Sequence, residues 1–167
     1  GSAMAGQELM GDLLEDPKGA LFLRSMIDGA RVYAVPEMAD IVVAVDPPAT
    51  SGPRADACGI IAAGVAEAAG FGRRCFVLGQ TLESAGCRLP VRLVHARLGK
   101  RARAMPVALL YEQGKVAHLG LLATLEDQMC RFGAEGFTGS PDRVDALVWA
   151  VWALMLERTG GPRVRAL

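Results

Sequence analysis

Residues 41–48 read Ile-Val-Val-Ala-Val-Asp-Pro-Pro, an apolar run that ends in an aspartate and two prolines. An uninterrupted run of isoleucine, valine and alanine is typical of a strand that is buried on both faces. Asp46 therefore stands at the end of a rigid element, where a carboxylate can take part in a site. Turn residues are equally common at such a position, so Asp46 by itself is compatible with a site or with a turn.

A second acidic segment lies near the C-terminus. Residues 139–145 read Gly-Ser-Pro-Asp-Arg-Val-Asp and are followed by a long apolar run. Ser140 is a favourable N-cap and Pro141 a favourable first residue of a helix. The sequence therefore predicts that Asp142 lies in the first turn of a helix, with Asp145 on the same helix face.

Together, these aspartates predict a divalent-metal site. Asp142 alone is weak evidence, because acidic residues in a first turn also complement the helix dipole. Asp145 is less expected, since it adjoins an apolar run that must be largely buried, and a buried carboxylate requires a cation. Mg²⁺ and similar ions prefer oxygen ligands, so we interpret Asp46, Asp142 and Asp145 as candidate metal ligands.

The composition is that of one globular domain. The chain has 167 residues, of which 51% are hydrophobic and 22% are charged. Its longest apolar run, residues 146–156, is shorter than the roughly 20 residues that span a bilayer, so we expect no membrane association. The four cysteines lack C-x-x-C spacing and are accompanied by only two histidines. This pattern argues against a zinc site and predicts reduced cysteines in a cytoplasmic protein.

One long segment carries only positive charges. The net charge of the chain is zero, which argues against a uniformly basic surface. Between Ser84 and Tyr111, however, there is no acidic residue, and Gly99 would let a nucleic-acid backbone approach closely. Such a segment either contacts phosphate groups or forms a solvated surface, and we favour phosphate contact. The residues predicted to contact DNA are Arg97, Lys100, Arg101 and Arg103.

The hydrophobic pattern predicts a mixed-sheet α/β domain. Apolar positions at helical spacing between residues 6 and 28 predict one or two short helices. Strand-like runs lie at residues 40–45, 58–66, 74–78, 91–95 and 115–119. Further helices are predicted at residues 101–113 and 122–131 and from residue 141 onwards. Short connections between the first three strands favour an antiparallel meander.

Three segments resemble a known family. They are residues 43–51 (Val-Ala-Val-Asp-Pro-Pro-Ala-Thr-Ser), 97–107 (Arg-Leu-Gly-Lys-Arg-Ala-Arg-Ala-Met-Pro-Val) and 139–150 (Gly-Ser-Pro-Asp-Arg-Val-Asp-Ala-Leu-Val-Trp-Ala). In this order they resemble the C-terminal nuclease domain of phage-type large terminases, especially those of prophages and gene transfer agents. The resemblance implies an RNase H-like fold, in which helices flank a mixed β-sheet.

The resemblance also implies ligands, a substrate and partners. Domains of this family hold Mg²⁺ or Mn²⁺, two ions in the active complex, and cut double-stranded DNA while it is packaged into a capsid. By position, Asp46 matches the ligand on the first strand, and Asp142 and Asp145 match the ligands on the late helix. Asp56 matches an auxiliary acidic position. In a full terminase an ATPase motor precedes this domain, and the portal and the small terminase subunit are further partners in the bacterial host cell.

One element of the family pattern is missing. The family places a second acidic ligand at the end of a later strand, in a segment resembling V-A-E-x-N-Q-G-G, which this chain lacks. Only ten residues separate Leu78 from Leu89, too few for a strand and the helix that crosses over it. We therefore expect missing residues near Gly86-Cys87, through an omitted segment or a true deletion. Glu83 lies near this point but is not assigned the missing role.

These interpretations divide the chain into four parts. They are a tag remnant at residues 1–4, an N-terminal helical segment at 5–39, an RNase H-like nuclease domain at 40–159 and a C-terminal tail at 160–167. Two alternative functions stay open. One is a catalytically silent RNase H-like module that binds DNA or docks a partner, and the other is a junction-resolving or transposase-like nuclease. Cleavage assays with metal distinguish the first alternative, and the choice of substrate distinguishes the second.

Overall fold

The chain forms one mixed β-sheet with helices packed against it. The computed structural model of the protein describes residues 16–47, 58–79, 92–137 and 141–157. The elements are α1 (Arg24–Gly29), β1 (Arg31–Val32), β2 (Asp40–Asp46), β3 (Gly59–Ala68), β4 (Gly72–Gly79), α2 (Lys100–Glu112), β5 (Val116–Leu119), α3 (Ala123–Arg131) and α4 (Asp142–Val151). A π-helical segment, Trp152–Leu156, continues α4.

Within the described residues the sheet has five strands, in the order β1-β5-β4-β3-β2. β2, β3 and β4 form an antiparallel meander, whereas β4 pairs with β5, and β5 with β1, in parallel. The tight β3–β4 turn contains Gly70 and leads into Gly72, the first residue of β4, and their φ angles of 78° and 64° favour glycine. A parallel pair needs a crossover connection, and α2 lies within the one that joins β4 to β5.

One face of the sheet carries the main hydrophobic core. Ile61 and Val65 of β3 are fully buried on this face, because alternate side chains of a strand point the same way. The four α-helices contribute to the same core, for example through Val107 of α2 and Leu147 of α4. The opposite face has a smaller cluster around Phe76, partly covered by the segment between β1 and β2. The helices therefore lie on the face of the sheet that carries the main core, and every second side chain of β2 points to this face.

A buried polar chain ties β5 to the elements around it. His118 and Glu126 are completely buried. Nε2 of His118 lies 2.7 Å from the hydroxyl of Tyr111 on α2, and Nδ1 lies 3.2 Å from Oε1 of Glu126 on α3. Arg31 of β1 donates to Oε2 of Glu126 at 2.7 Å. Since buried polar groups need partners, this chain sets the positions of α2, α3 and β1 relative to the sheet.

Most predicted elements are confirmed. The strands predicted at residues 40–45, 58–66 and 74–78 are β2, β3 and β4, and their antiparallel meander is confirmed. The two middle helices and the short strand between them are α2, β5 and α3. Gly114 follows α2 with a φ of 66°, as expected of a glycine that ends a helix. α4 begins one residue later than predicted, since Pro141 precedes the helix, while Ser140 lies outside the described residues.

Two predictions need correction. The N-terminal segment, predicted as helical, also contains a strand, because β1 pairs with the edge of β5. The strand predicted at residues 91–95 is wrong for residues 92–95, which have no regular structure. Side-chain contacts hold this segment instead of strand pairing. Arg92 donates to both carboxylate oxygens of Glu157 at 2.8 and 2.7 Å, and the Leu98 carbonyl accepts from Arg103 at 2.6 Å.

Three cysteines, Cys58, Cys75 and Cys130, are free. Burial raises the pKa of Cys75 to about 12, so it packs in the core as a neutral thiol. Cys87, and with it the break predicted near Gly86-Cys87, lies outside the described residues. No helix in the described ranges is long and apolar enough to cross a membrane.

Candidate functional site

Gly59 allows α4 to approach the end of β2. In the antiparallel ladder, Asp46 at the end of β2 lies opposite Gly59 at the start of β3. The first turn of α4 lies directly on this glycine. A Cβ at position 59 would overlap the backbone carbonyl of Asp142 and lie 2.9 Å from the backbone nitrogen of Arg143. The contact requires glycine, and it places Asp142 beside the strand pair that carries Asp46.

Asp145 is a buried carboxylate with two cationic neighbours. It lies nearly one turn after Asp142, and its side chain is 4% exposed. Nη2 of Arg103 donates to Oδ1 at 3.2 Å, and Nζ of Lys100 lies 2.5 Å from Oδ2. The lysine contact is a close ion pair, and among the described residues Oδ2 has no other partner. Both cations come from the first turn of α2, three residues apart and therefore on one helix face.

Arg103 is held in the protein interior. It is only 8% exposed, and its guanidinium lies over the ring of Trp149, 5.1 Å from the ring centroid. Nη1 donates to the Leu98 carbonyl, and the backbone carbonyl of Arg103 accepts from Nε1 of Trp152 at 2.9 Å. Asp145, Trp149 and Trp152 are spaced so that one side of α4 faces the start of α2. Arg103 is thus fixed as the counter-charge of Asp145.

Burial and neighbouring charges raise the pKa of Asp46 above its ordinary value. Burial is the largest cause, and the negative charge of Asp145 is the next. Lys100 opposes the shift, Asp142 adds to it, and Arg103 opposes it. The three carboxylates therefore lie in one electrostatic group at the end of β2. We call Asp46, Asp142 and Asp145 the carboxylate cluster.

The chemistry of the carboxylate cluster fits a hard divalent cation, whereas its spacing in this structure does not yet enclose one. Carboxylate oxygens are the ligands that Mg²⁺ and Mn²⁺ prefer, and among the described residues Oδ2 of Asp145 has no partner other than the ammonium group of Lys100. Among the residues the structure describes, however, no three Asp, Glu, His or Cys side chains form a group that could hold a metal ion. The ammonium group of Lys100 lies at Asp145 instead. Asp56, the predicted auxiliary ligand, lies outside the described residues.

The four basic residues predicted to contact DNA have different surroundings. Arg97 is exposed, and so is Arg101, which donates to two backbone carbonyls of neighbouring loops at 3.0 Å. Lys100 is 53% exposed while its tip pairs with the carboxylate cluster. Arg103 is buried. A ligand from solvent can therefore reach three of the four side chains, and Arg103 acts within the protein.

The sequence does not single out three residues that build the site, namely Gly59, Trp149 and Trp152. A signal existed for the tryptophans, because they follow Asp145 by four and seven residues and so share its helix face. No local signal marks Gly59, since a glycine at the start of a strand is ordinary after a turn. Its importance arises from α4, which lies far along the chain.

Comparison with known proteins assigns the family. Residues 65–154 match the family described as terminase RNaseH-like domain. The match is more than half of the chain and includes Asp142 and Asp145, whereas Asp46 precedes it. No curated protein and no solved structure matches. The five-stranded mixed sheet with its helices agrees with the predicted RNase H-like architecture. The chain therefore belongs to the terminase RNase H-like domain family.

Proposed function

We propose that this domain is a metal-dependent endonuclease that cuts double-stranded DNA while it is packaged into a capsid. The observation that carries the proposal is the carboxylate cluster, in which two rigid elements bring Asp46 of β2 near Asp142 and Asp145 of α4. Membership of a terminase family supports DNA as the substrate. The narrower origin from a prophage or a gene transfer agent stays a prediction.

The mechanism follows from the placement of the side chains. When bound at the carboxylate cluster, divalent ions such as Mg²⁺ or Mn²⁺ would neutralise charge on the phosphate and lower the pKa of an attacking water. Asp46 and Asp142 would hold such an ion between β2 and α4. Arg103 keeps Asp145 in position, because its guanidinium is itself fixed by packing on α4. Lys100 would reach a DNA phosphate from the surface without reading the base sequence.

Cleavage of plasmid DNA tests the proposal. The parent protein should cut the plasmid when Mn²⁺ or Mg²⁺ is present and should be inactive with EDTA. Asp46→Asn should reduce the rate by more than the roughly 10- to 100-fold that the loss of a mere supporting residue costs. Asp40→Asn is the matched control, because Asp40 is an exposed aspartate at the other end of β2 whose carboxylate accepts from a neighbouring backbone NH.

A catalytically silent DNA-binding module is the second candidate. It is favoured by the two protein cations at Asp145 and by the lack of a three-residue metal group within the described ranges. Such a module would bind the duplex and leave it intact with either metal. Equal cleavage by the parent and by Asp46→Asn would likewise contradict the nuclease proposal. In either case, the ATPase motor, the portal and the small terminase subunit are the partners we propose for the full machine.

A further inference from the structure

Lys100 is placed unusually for an exposed lysine. Its side chain is 53% exposed, yet its ammonium group reaches a carboxylate that is 4% exposed. Arg103, three residues along the same helix, already gives Asp145 a buried counter-charge and a hydrogen bond. Lys100 adds a second positive charge to a carboxylate that already has a buried counter-charge. Neutralising Asp145 therefore does not by itself explain its position.

The charge of the cluster explains why a second cation is drawn in. Asp46, Asp142 and Asp145 interact electrostatically at the end of β2, and Arg103 pairs with Asp145. Like charges held in a partly buried place repel each other unless a cation lies among them. The charge of Lys100 acts on Asp46 as well as on Asp145. Its positive charge thus offsets the repulsion between two members of the cluster, as a bound ion would.

The two cations differ in their freedom to leave. Arg103 is buried and fixed by Leu98, Trp149 and Trp152. Lys100 is the first residue of α2 and follows Gly99, at which an added Cβ would meet no atom of the described part of the chain within 4 Å. A lysine side chain has a flexible four-carbon stem, so its ammonium group can swing from the cluster to solvent without moving the helix.

We propose that Lys100 is a tethered cation that occupies the carboxylate cluster while no metal is bound and is exchanged for a divalent ion. Once displaced, its ammonium group is free to contact a phosphate of the DNA backbone. The inference rests on the proposed metal-dependent function. It explains why the carboxylates fit a metal by chemistry and yet do not enclose one in this structure. It also couples metal binding to DNA binding. A metal ion at Asp145 releases the ammonium group of Lys100 for contact with a phosphate, and by reciprocity a phosphate contact of Lys100 favours metal binding at Asp145.

Calorimetric titration with Mn²⁺, without DNA, tests the competition. Lys100→Met keeps a long unbranched side chain but removes the charge, so it should bind Mn²⁺ roughly fivefold more tightly than the parent, the scale of one exposed ion pair. Lys100→Arg keeps the competing charge and should bind Mn²⁺ no more tightly than the parent. Arg131→Met controls for the net charge, since Arg131 is an exposed residue of α3, and it should bind like the parent.

The salt dependence of duplex binding tests the release of Lys100. Ca²⁺, which also prefers oxygen ligands, serves as the metal for this measurement. Adding Ca²⁺ should steepen the slope of log affinity against log salt for the parent by roughly 0.9 relative to Lys100→Met, the effect of one additional phosphate contact. Without metal, the two slopes should be equal.

The outcomes separate this inference from the proposed function. If the parent binds Mn²⁺ through Asp46 but Lys100→Met, folded as judged by circular dichroism, binds it no more tightly, the exchange is refuted and the metal site stands. If neither the parent nor any Lys100 variant binds Mn²⁺, both are refuted. Tighter binding by Lys100→Met and Arg131→Met alike would attribute the effect to net charge and would also refute the exchange.

Discussion

At the scale of single residues, the site depends on how a few charges are buried together. Asp46 is half-buried at the end of a strand, and Asp145 is almost fully buried. Burial and the neighbouring carboxylates disfavour the charged form of Asp46, which is why its pKa is raised. Carboxylates placed in this way destabilise the protein unless a cation compensates them. Such a cost is expected where side chains are arranged for binding and not for stability.

The raised pKa of Asp46 predicts how stability depends on pH. The pKa of Asp46 is higher in the folded state than in the unfolded state, so the folded state binds the proton more readily. The stability of the protein therefore falls as the pH rises from the unfolded pKa through the folded pKa. In EDTA, Asp46→Asn should therefore have a higher Tm than the parent at about pH 7, where the aspartate is ionised. The difference should shrink as the pH is lowered to about 3.9, the ordinary aspartate value, and below.

Thermal unfolding of both proteins across this pH range measures the effect. Asp40→Asn is the control, because Asp40 is an exposed aspartate at the other end of the same strand. A Tm of Asp46→Asn that lies below that of the parent at neutral pH would show that Asp46 is stabilised in its charged form, contrary to the structure.

At the scale of elements, the site lies where α2, α4 and β2 meet. α4 packs on β2 and β3, and the first turn of α2 faces the same side of α4. Away from the site, Tyr111, His118 and Glu126 hold α2, β5 and α3 together. Hydrogen bonding by His118, which opposes the effect of burial, helps to keep the pKa of Glu126 below its usual value. α2 is thus fixed near its end by the buried polar chain and at its start by the charges of the site.

The contact between β3 and α4 predicts the effect of Gly59→Ala. The added methyl group would overlap the backbone of Asp142, so α4 must shift away from β2. Overpacking of this kind costs about 1–3 kcal/mol of stability, and the shift should also weaken Mn²⁺ binding. Gly79→Ala is the matched control, because a Cβ at Gly79 of β4 would meet no atom of the described residues within 4 Å. Chemical unfolding measures the stability of the two variants, and titration measures their affinity for Mn²⁺. Equal stability and equal affinity of Gly59→Ala and Gly79→Ala would contradict the close contact between β3 and α4 as the basis of the site.

At the scale of the whole molecule, the position of β2 is the unusual feature. Its apolar sequence is typical of a buried strand, yet among the described residues it pairs only with β3, and Ile41 and Val45 are more than half exposed. Natural proteins usually protect an edge strand with charges, prolines or bulges. The seven pairs of β2 with β3 run without a register shift, and the interior of β2 carries no charged residue.

Hydrogen exchange tests the place of β2 in the sheet. β3 and β4 each have a strand on both sides, so their amides should exchange most slowly. The amides of β2 that point away from β3 should exchange much faster. Slow exchange at every amide of β2, measured by NMR on the intact chain, would mean that another segment pairs along its outer edge.

The sequence by itself determined the elements of this protein. Hydrophobic periodicity and turn residues are local signals, so the meander, α2, α3 and β5 were predictable, as was the position of Asp142 and Asp145 in a first turn. The same signals failed for residues 92–95, because an apolar run becomes a strand only when a neighbour is available to pair with it. The family was also recognisable, since three ordered segments carry its pattern.

Only the tertiary structure decided what surrounds each carboxylate. Lys100 and Arg103 appeared in the sequence as members of a basic segment, and nothing local indicates that both face Asp145. Gly59 matters only because α4 lies on it. These relations join residues that are far apart in the chain, and they depend on how helices pack on a sheet, which sequence spacing does not encode. Burial then sets the electrostatics, because the energy of a charge depends on the solvent that the fold removes from it.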